Sequence, residues 1–235
     1  MTSLSSPAAL WPAARVRGTL AVVTGRGERA AVYERFGQRI SADGYTVAIF
    51  EADADAAAAW IETADAPRVL VGSDTGASSV LRVLTQGATA DGAIIAGTPV
   101  DVDTDGAAQP ADAERTACPL HLGVLGTDEA RTAPVAVEPV PDAADLASIA
   151  VPVLAFHGGA DTVALITEAS ALLNAVPDLE LLETVGGLHD ALNDQSHRSV
   201  AASIVLWLER LRSGDVHVPV VDALRQAQRA EVADV

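Results

Sequence analysis

The sequence predicts an α/β fold, a mostly parallel, doubly wound sheet flanked by helices in a single domain. Three observations carry that expectation. Short apolar runs rich in Val, Ile and Leu alternate with helical patterns. The runs are continuous rather than alternating, as in strands covered on both faces. The chain has 235 residues, enough for one domain with a sizeable core.

The candidate strands are residues 19–23, 46–50, 68–71, 93–95, 153–156 and 179–184. Helical stretches lie between them. In 29–42, Val32, Phe36 and Ile40 share a face. Residues 53–63 are Ala-rich, 77–84 follow the third run, and 164–175 follow the fifth. In 199–212, Val200, Ile204, Leu208 and Leu211 form one stripe. Residues 1–17 read as a mobile lead, 18–212 as the domain, and 213–235 as a helical extension by pattern alone. Val220, Leu224 and Ala227 would face inward there, onto the body or onto a partner; a homodimer through this segment is one reading. Residues 98–150, rich in Pro, Ala, Asp and Thr, read as an irregular excursion or vestigial cap.

Composition narrows the function classes. The net charge of −17 argues against nucleic acid and anionic membrane surfaces. No apolar run is long enough to predict a membrane span. The single Cys118 permits no internal disulfide and suits a cytoplasmic location. All 15 fixed cations are Arg. The chain therefore has no Schiff-base lysine, no P-loop lysine and no Ser–Lys dyad.

Residues Val71, Gly72, Ser73, Asp74, Thr75, Gly76 and Ala77 follow an apolar run and open a helix. That is the strand–turn–helix setting of a nucleophile elbow, with Asp74 at its centre. The run from Val153 to His157, Gly158, Gly159 and Asp161 ends a strand in an acidic turn. Gly186, Gly187 and His189 form a Gly-rich loop past the last strand. The order is nucleophile, acid, base. Parallel strands would bring all three loops to one edge of the sheet. A base needs hydrogen-bond reach to the nucleophile or water, and an acid to fix its tautomer. After the first strand, Gly25, Arg26 and Gly27 form a turn that can offer a backbone N–H to an oxyanion and line a substrate site. The N–H of Thr75 would be its partner. The Arg26 side chain reads either as a ligand for an anionic substrate group or as a surface arginine. His121, His157, His197 and His217 show no partner spacing. Asp101, Asp103, Asp105, Gly106 and Asp112 match the front of a calcium loop, but Pro110 and Ala108 spoil it, and a solvated acidic loop with no metal is expected.

Taken together, Gly25 to Glu28 with Tyr33 to Phe36, His157 to Asp161, and His189 to Asp194 resemble the α/β-hydrolases, in particular the lysophospholipase or monoglyceride-lipase-like branch. The resemblance spans residues 18–212. It implies an eight-stranded, mostly parallel sheet, a small-molecule substrate and no metal or organic cofactor. It assigns Asp74 to the nucleophile position, His189 to the base and Asp161 to the orienting acid. The chain departs from that branch in three places. Asp74 stands where Ser is usual, the cap is reduced to 98–150 at most, and the segment after Phe50 passes almost directly into a helix. Haloalkane dehalogenases and epoxide hydrolases use Asp at this position, but normally follow it with Trp; here Thr75 follows. Tyr33 and Tyr45 are the only tyrosines, and neither lies in the excursion. Two functions are consistent with these residues: a hydrolase working through Asp74, or a catalytically silent protein of the same fold that binds a ligand or partner. In the second, Asp74 serves as a helix cap or an arginine partner.

Overall fold

The structure, a computed structural model, describes residues 6–100, 109–133 and 139–221. Among these residues seven strands form one sheet: β1 Ala9–Trp11, β2 Gly18–Val23, β3 Tyr45–Phe50, β4 Arg68–Ser73, β5 Gly92–Ala96, β6 Val153–Gly158 and β7 Leu179–Thr184. Their spatial order is β1-β3-β2-β4-β5-β6-β7. Every pairing is parallel except β1 with β3. The six strands expected from apolar runs are all present. The described residues contain one strand fewer than the eight that the resemblance implies.

Among the described residues there are eight α-helices, α1 Glu34–Ala42, α2 Ala54–Ile61, α3 Thr75–Thr85, α4 Asp112–Arg115, α5 Pro119–Leu125, α6 Ala143–Leu146, α7 Ile166–Leu173 and α8 His197–Ser213. Side chains alternate across each strand, so one sheet feeds two cores. Leu20 and Val22 join α1, α5 and α8 on one face, around Phe36, Ile40 and Trp207. Ala21 and Val23 join α2, α3, α6 and α7 on the other, around Ile61, Leu81 and Leu173. Burial on both faces is why these strands read as continuous apolar runs.

Two expectations need correction. Part of the lead read as mobile is a strand: Ala9, Leu10 and Trp11 pair with Ile49, Ala48 and Val47. Trp11 packs so closely on α1 that a Cβ at Gly37 would fall 2.2 Å from its ring. The excursion is also less irregular than its composition suggests. Residues 109–133 hold α4, α5 and a 3₁₀ turn at Asp128–Ala130, and α6 follows later. Of the calcium-like run 101–112, residues 101–108 lie outside the described residues, as do residues 222–235 of the extension and the homodimer read through it. Of the extension 213–235, the described residues 214–221 form turns and bends after α8 ends at Ser213, so Val220 is not on a helix.

The β4–α3 junction depends on two glycines. A Cβ on Gly72 would lie 2.3 Å from the Gly76 carbonyl oxygen, and one on Gly76 would lie 2.3 Å from that of Val23. Both obstacles are backbone, so neither can swing aside. Gly76→Ala should destabilise the fold by about 1–3 kcal/mol or more, as overpacking does, measured by urea unfolding.

Candidate active site

Parallel strands end at one edge of the sheet, and four of them deliver side chains there. Arg26 follows β2, Asp74 follows β4, Asp161 follows β6 and His189 follows β7. Asp74 has φ +50° and ψ −125°, a conformation that is rare outside glycine. The strain points its carboxylate away from α3 and into the space between loops. It makes no side-chain cap of α3, so the helix-cap reading of this residue fails.

The geometry is a line. Asp74 Oδ1 lies 3.2 Å from His189 Nε2, and His189 Nδ1 lies 2.8 Å from Asp161 Oδ2. Asp161 is fixed in turn: its Oδ1 accepts from the N–H groups of Val163 at 2.8 Å and Ala164 at 3.0 Å. His157, expected to be ordinary, lies 3.2 Å from Asp161 Oδ2 and 2.8 Å from the Ala164 carbonyl. Asp74 is 2% exposed and His189 1%. The three residues singled out as nucleophile, base and acid are thus brought together in a buried site.

Arg26 contributes more than a backbone turn. Its N–H donates to Asp74 Oδ2 at 3.0 Å. Its guanidinium also clasps the carboxylate, Nε to Oδ2 at 2.8 Å and Nη2 to Oδ1 at 2.6 Å. Thr75 is the first residue of α3, so its N–H has no acceptor inside the helix. Both N–H groups expected at an oxyanion site therefore flank Asp74. Gly25 and Gly27 belong to the same turn. The Gly25 N–H is spent on Glu28 Oε2 at 2.9 Å and Tyr33 Oη at 3.1 Å. Gly27, at φ +65°, lies under Gln109, whose Nε2 a Cβ would meet at 1.5 Å. They shape the turn and admit its cover.

That cover is residues 109–133. Arg29 N–H donates to the Ala130 carbonyl at 2.9 Å, and Thr132 N–H to that of Gly27 at 3.0 Å. Asp190 N–H donates to the Arg115 carbonyl at 2.8 Å. Asp194 ties the other side, accepting from Thr116 Oγ1 at 2.9 Å, Ala117 N–H at 2.8 Å and Leu188 N–H at 2.9 Å. The segment is stitched to the Arg26 turn and to the His189 loop together. At its centre is Arg115, 3% exposed, which pairs with Glu28 and, at 3.0 Å, with Asp190. His121 Nε2 lies 2.8 Å from Asp190 Oδ2, and Tyr33 Oη donates to Glu28. In the sequence, Glu28 and Asp190 enter only as members of the resembling runs, His121 is read as lacking a partner, and Arg115 is not read at all. Their partners are 69 to 87 residues apart, and only the adjacency of Asp190 to His189 hints at them.

Electrostatics lock the array. Burial by itself raises Asp74, but hydrogen bonds and charge from His189 and Arg26 outweigh it and hold the carboxyl well below the usual range. Burial lowers His189, and Asp161 and Asp74 overcome it, raising the imidazole to about 10. Burial likewise raises Asp161, while His157, His189 and the Ala164 N–H bring it well below the usual range. At neutral pH His189 is therefore an imidazolium between two carboxylates. A histidine raised from 6.5 to about 10 stabilises the fold fully below 6.5, and that contribution is lost as pH rises through 10. The melting temperature should fall across this window, and His189→Gln should flatten that part of the profile in a thermal melt series.

Within the described residues, no group of three or more His, Cys, Asp or Glu is placed to hold a metal ion, and no helix is long and apolar enough to cross a membrane. The chain superposes on a monoacylglycerol lipase from Paleococcus ferrophilus with a TM-score of 0.71 at 17% identity, covering 87% of this chain and 97% of that one. The fold is that of the α/β-hydrolases. A soluble variant of monoglyceride lipase from Saccharomyces cerevisiae matches with a TM-score of 0.70 at 15% identity, covering 86% and 90% of the two chains. A carboxyl esterase from Bacillus coagulans gives 0.70 at 15%, covering 86% and 93%. No family model matches the sequence, and no curated protein matches it. At these identities the likeness is one of α/β-hydrolase architecture alone.

Proposed function

We propose that the protein is a hydrolase that attacks an sp³ carbon of a small organic substrate with Asp74 and hydrolyses the resulting ester with water activated by His189. The observation that carries this reading is the division of labour around one carboxylate. Oδ2 accepts the Arg26 backbone N–H, while Oδ1 faces His189. Oδ1 is then the attacking atom and Oδ2 the atom that becomes the ester carbonyl oxygen.

The steps balance. The Arg26 side chain first swings off Oδ1. Oδ1 displaces the leaving group, forming a C–O bond as the bond to the leaving group breaks. His189, protonated at rest, gives its proton to the departing group. Esterification removes the Asp74 charge that helps hold the imidazole proton, so His189 now favours its neutral form. It takes a proton from water, and the hydroxide adds to the Asp74 carbonyl carbon. The Arg26 and Thr75 N–H groups flank the oxygen that gains charge. Collapse expels the alkoxide, which takes the proton from His189. The new carboxylic acid returns its own proton to His189, restoring the ion pair.

Acyl transfer does not suit this carboxylate, because attack on an acyl ester yields an anhydride. The lipase and esterase activities named for the structural neighbours therefore do not fit Asp74 as the nucleophile. No cofactor is required. We place the protein in the cytoplasm, on the strength of the unpaired Cys118.

Screening haloalkanes, epoxides and esters tests the reading. Turnover of an sp³ electrophile by the native chain, lost in Asp74→Asn, is the expected result. Inactivity of the native chain, with esterase activity gained by Asp74→Ser, would instead favour a silent binding protein in which Arg26 and Asp74 close the site.

A further inference from the structure

A cavity of about 330 Å³ opens between α1 and α8, away from Asp74. Its wall contains Arg35, Arg39 and Arg198 with His197, and its floor is Phe36, Leu192 and Ala201. These are three of only 15 fixed cations in a chain of net charge −17. Chance surface arginines on so acidic a protein should be dispersed among carboxylates. Here Arg39 and Arg198 have no hydrogen-bond or ion-pair partner among the described residues. Glu34, the acid of the adjoining cavity, is engaged by Gln38 Nε2 at 2.9 Å.

Arg35 is held in place. One of its guanidinium nitrogens donates to the Asn193 carbonyl, and the other lies 3.5 Å from Cys118 Sγ. Burial and the charges of Arg35, Arg198 and Arg39 hold His197 below its ordinary value. Like charges gathered around one concavity repel one another, and a bound anion would relieve that cost. Guanidinium groups match phosphate oxygens in geometry, and a dianion answers several of them at once. The apolar floor offers contact to the carbon part of an ester.

We propose that the α1–α8 cavity binds a small phosphomonoester, its phosphate held by Arg35, Arg39 and Arg198 and its organic part resting on Phe36, Leu192 and Ala201. The site is independent of the chemistry at Asp74.

The test uses inorganic phosphate and phenyl phosphate as probes, titrated by calorimetry in about 0.15 M chloride, which screens diffuse attraction. Imidazole resonances report on His197 in parallel. Saturable binding with a shift at His197 is expected, phenyl phosphate binding about tenfold more tightly than phosphate through its buried ring. Arg39→Gln with Arg198→Gln should weaken both probes by about tenfold or more. Both side chains are exposed, so the fold should persist, and a thermal melt checks it. Arg212→Gln, the loss of one charge elsewhere on α8, should leave binding unchanged. Absence of saturation by about 10 mM of either probe would overturn the proposal. So would equal weakening by Arg212→Gln, or equal affinity for the two probes.

Discussion

Asp74→Asn should abolish turnover, with a loss of about ten-thousandfold or more in kcat, the scale seen when a covalent nucleophile is removed. The amide is a poor nucleophile, and its neutrality also removes one of the two carboxylate charges, beside that of Asp161, that keep His189 protonated at rest. His189→Gln should fail differently. For a leaving group that needs no proton, Oδ1 can still attack, but no base then activates water. The alkyl ester should accumulate, seen as one substrate fragment on Asp74 by intact-protein mass spectrometry. A purely structural role for Asp74 would slow both steps through misfolding, and circular dichroism of the variants separates that outcome.

Arg115→Met should cost about 3–5 kcal/mol of stability, because it strands buried charges. Glu28 and Asp190 both pair with this guanidinium, and all three residues are buried. Burial lowers the Arg115 pKa, yet Glu28, Asp190 and Asp74 outweigh it and raise it, so the charge is retained in the fold. The urea midpoint should fall accordingly. Adding Glu28→Gln should recover part of the loss, since the two residues belong to one network. Arg115 also holds the cover over the site, so its variant should admit proteolysis within 109–133 before the sheet unfolds.

The sheet was legible because its strands are buried on both faces and so are continuously apolar, from Leu20 in β2 to Phe156 in β6. The β1 strand was not, because three residues carry no periodicity and their pairing partner lies far along the chain. The short helices of the cover were hidden by composition: α4 spans only four residues, and α5 begins at Pro119. In the site, motif order placed Asp74, Asp161 and His189 together, since parallel strands deliver their following loops to one edge. What the motifs could not show was the company they keep. The side chain of Arg26 was read with a surface position as one alternative, yet it grips the carboxylate through two nitrogens. The Glu28–Arg115–Asp190–His121 network joins residues whose types, taken singly, are ordinary loop polarity. Only the fold makes them buried and therefore mutually dependent.

The central claim is that Asp74 becomes covalently esterified and is regenerated by water. A single-turnover reaction in heavy-oxygen water, using an sp³ electrophile that the native chain consumes, tests it most directly. Hydroxide adds to the Asp74 carbonyl carbon, so the isotope should enter the Asp74 carboxylate and be found by mass spectrometry of the peptide containing it, with unlabelled product alcohol. Label in the product and none in Asp74 would contradict the account.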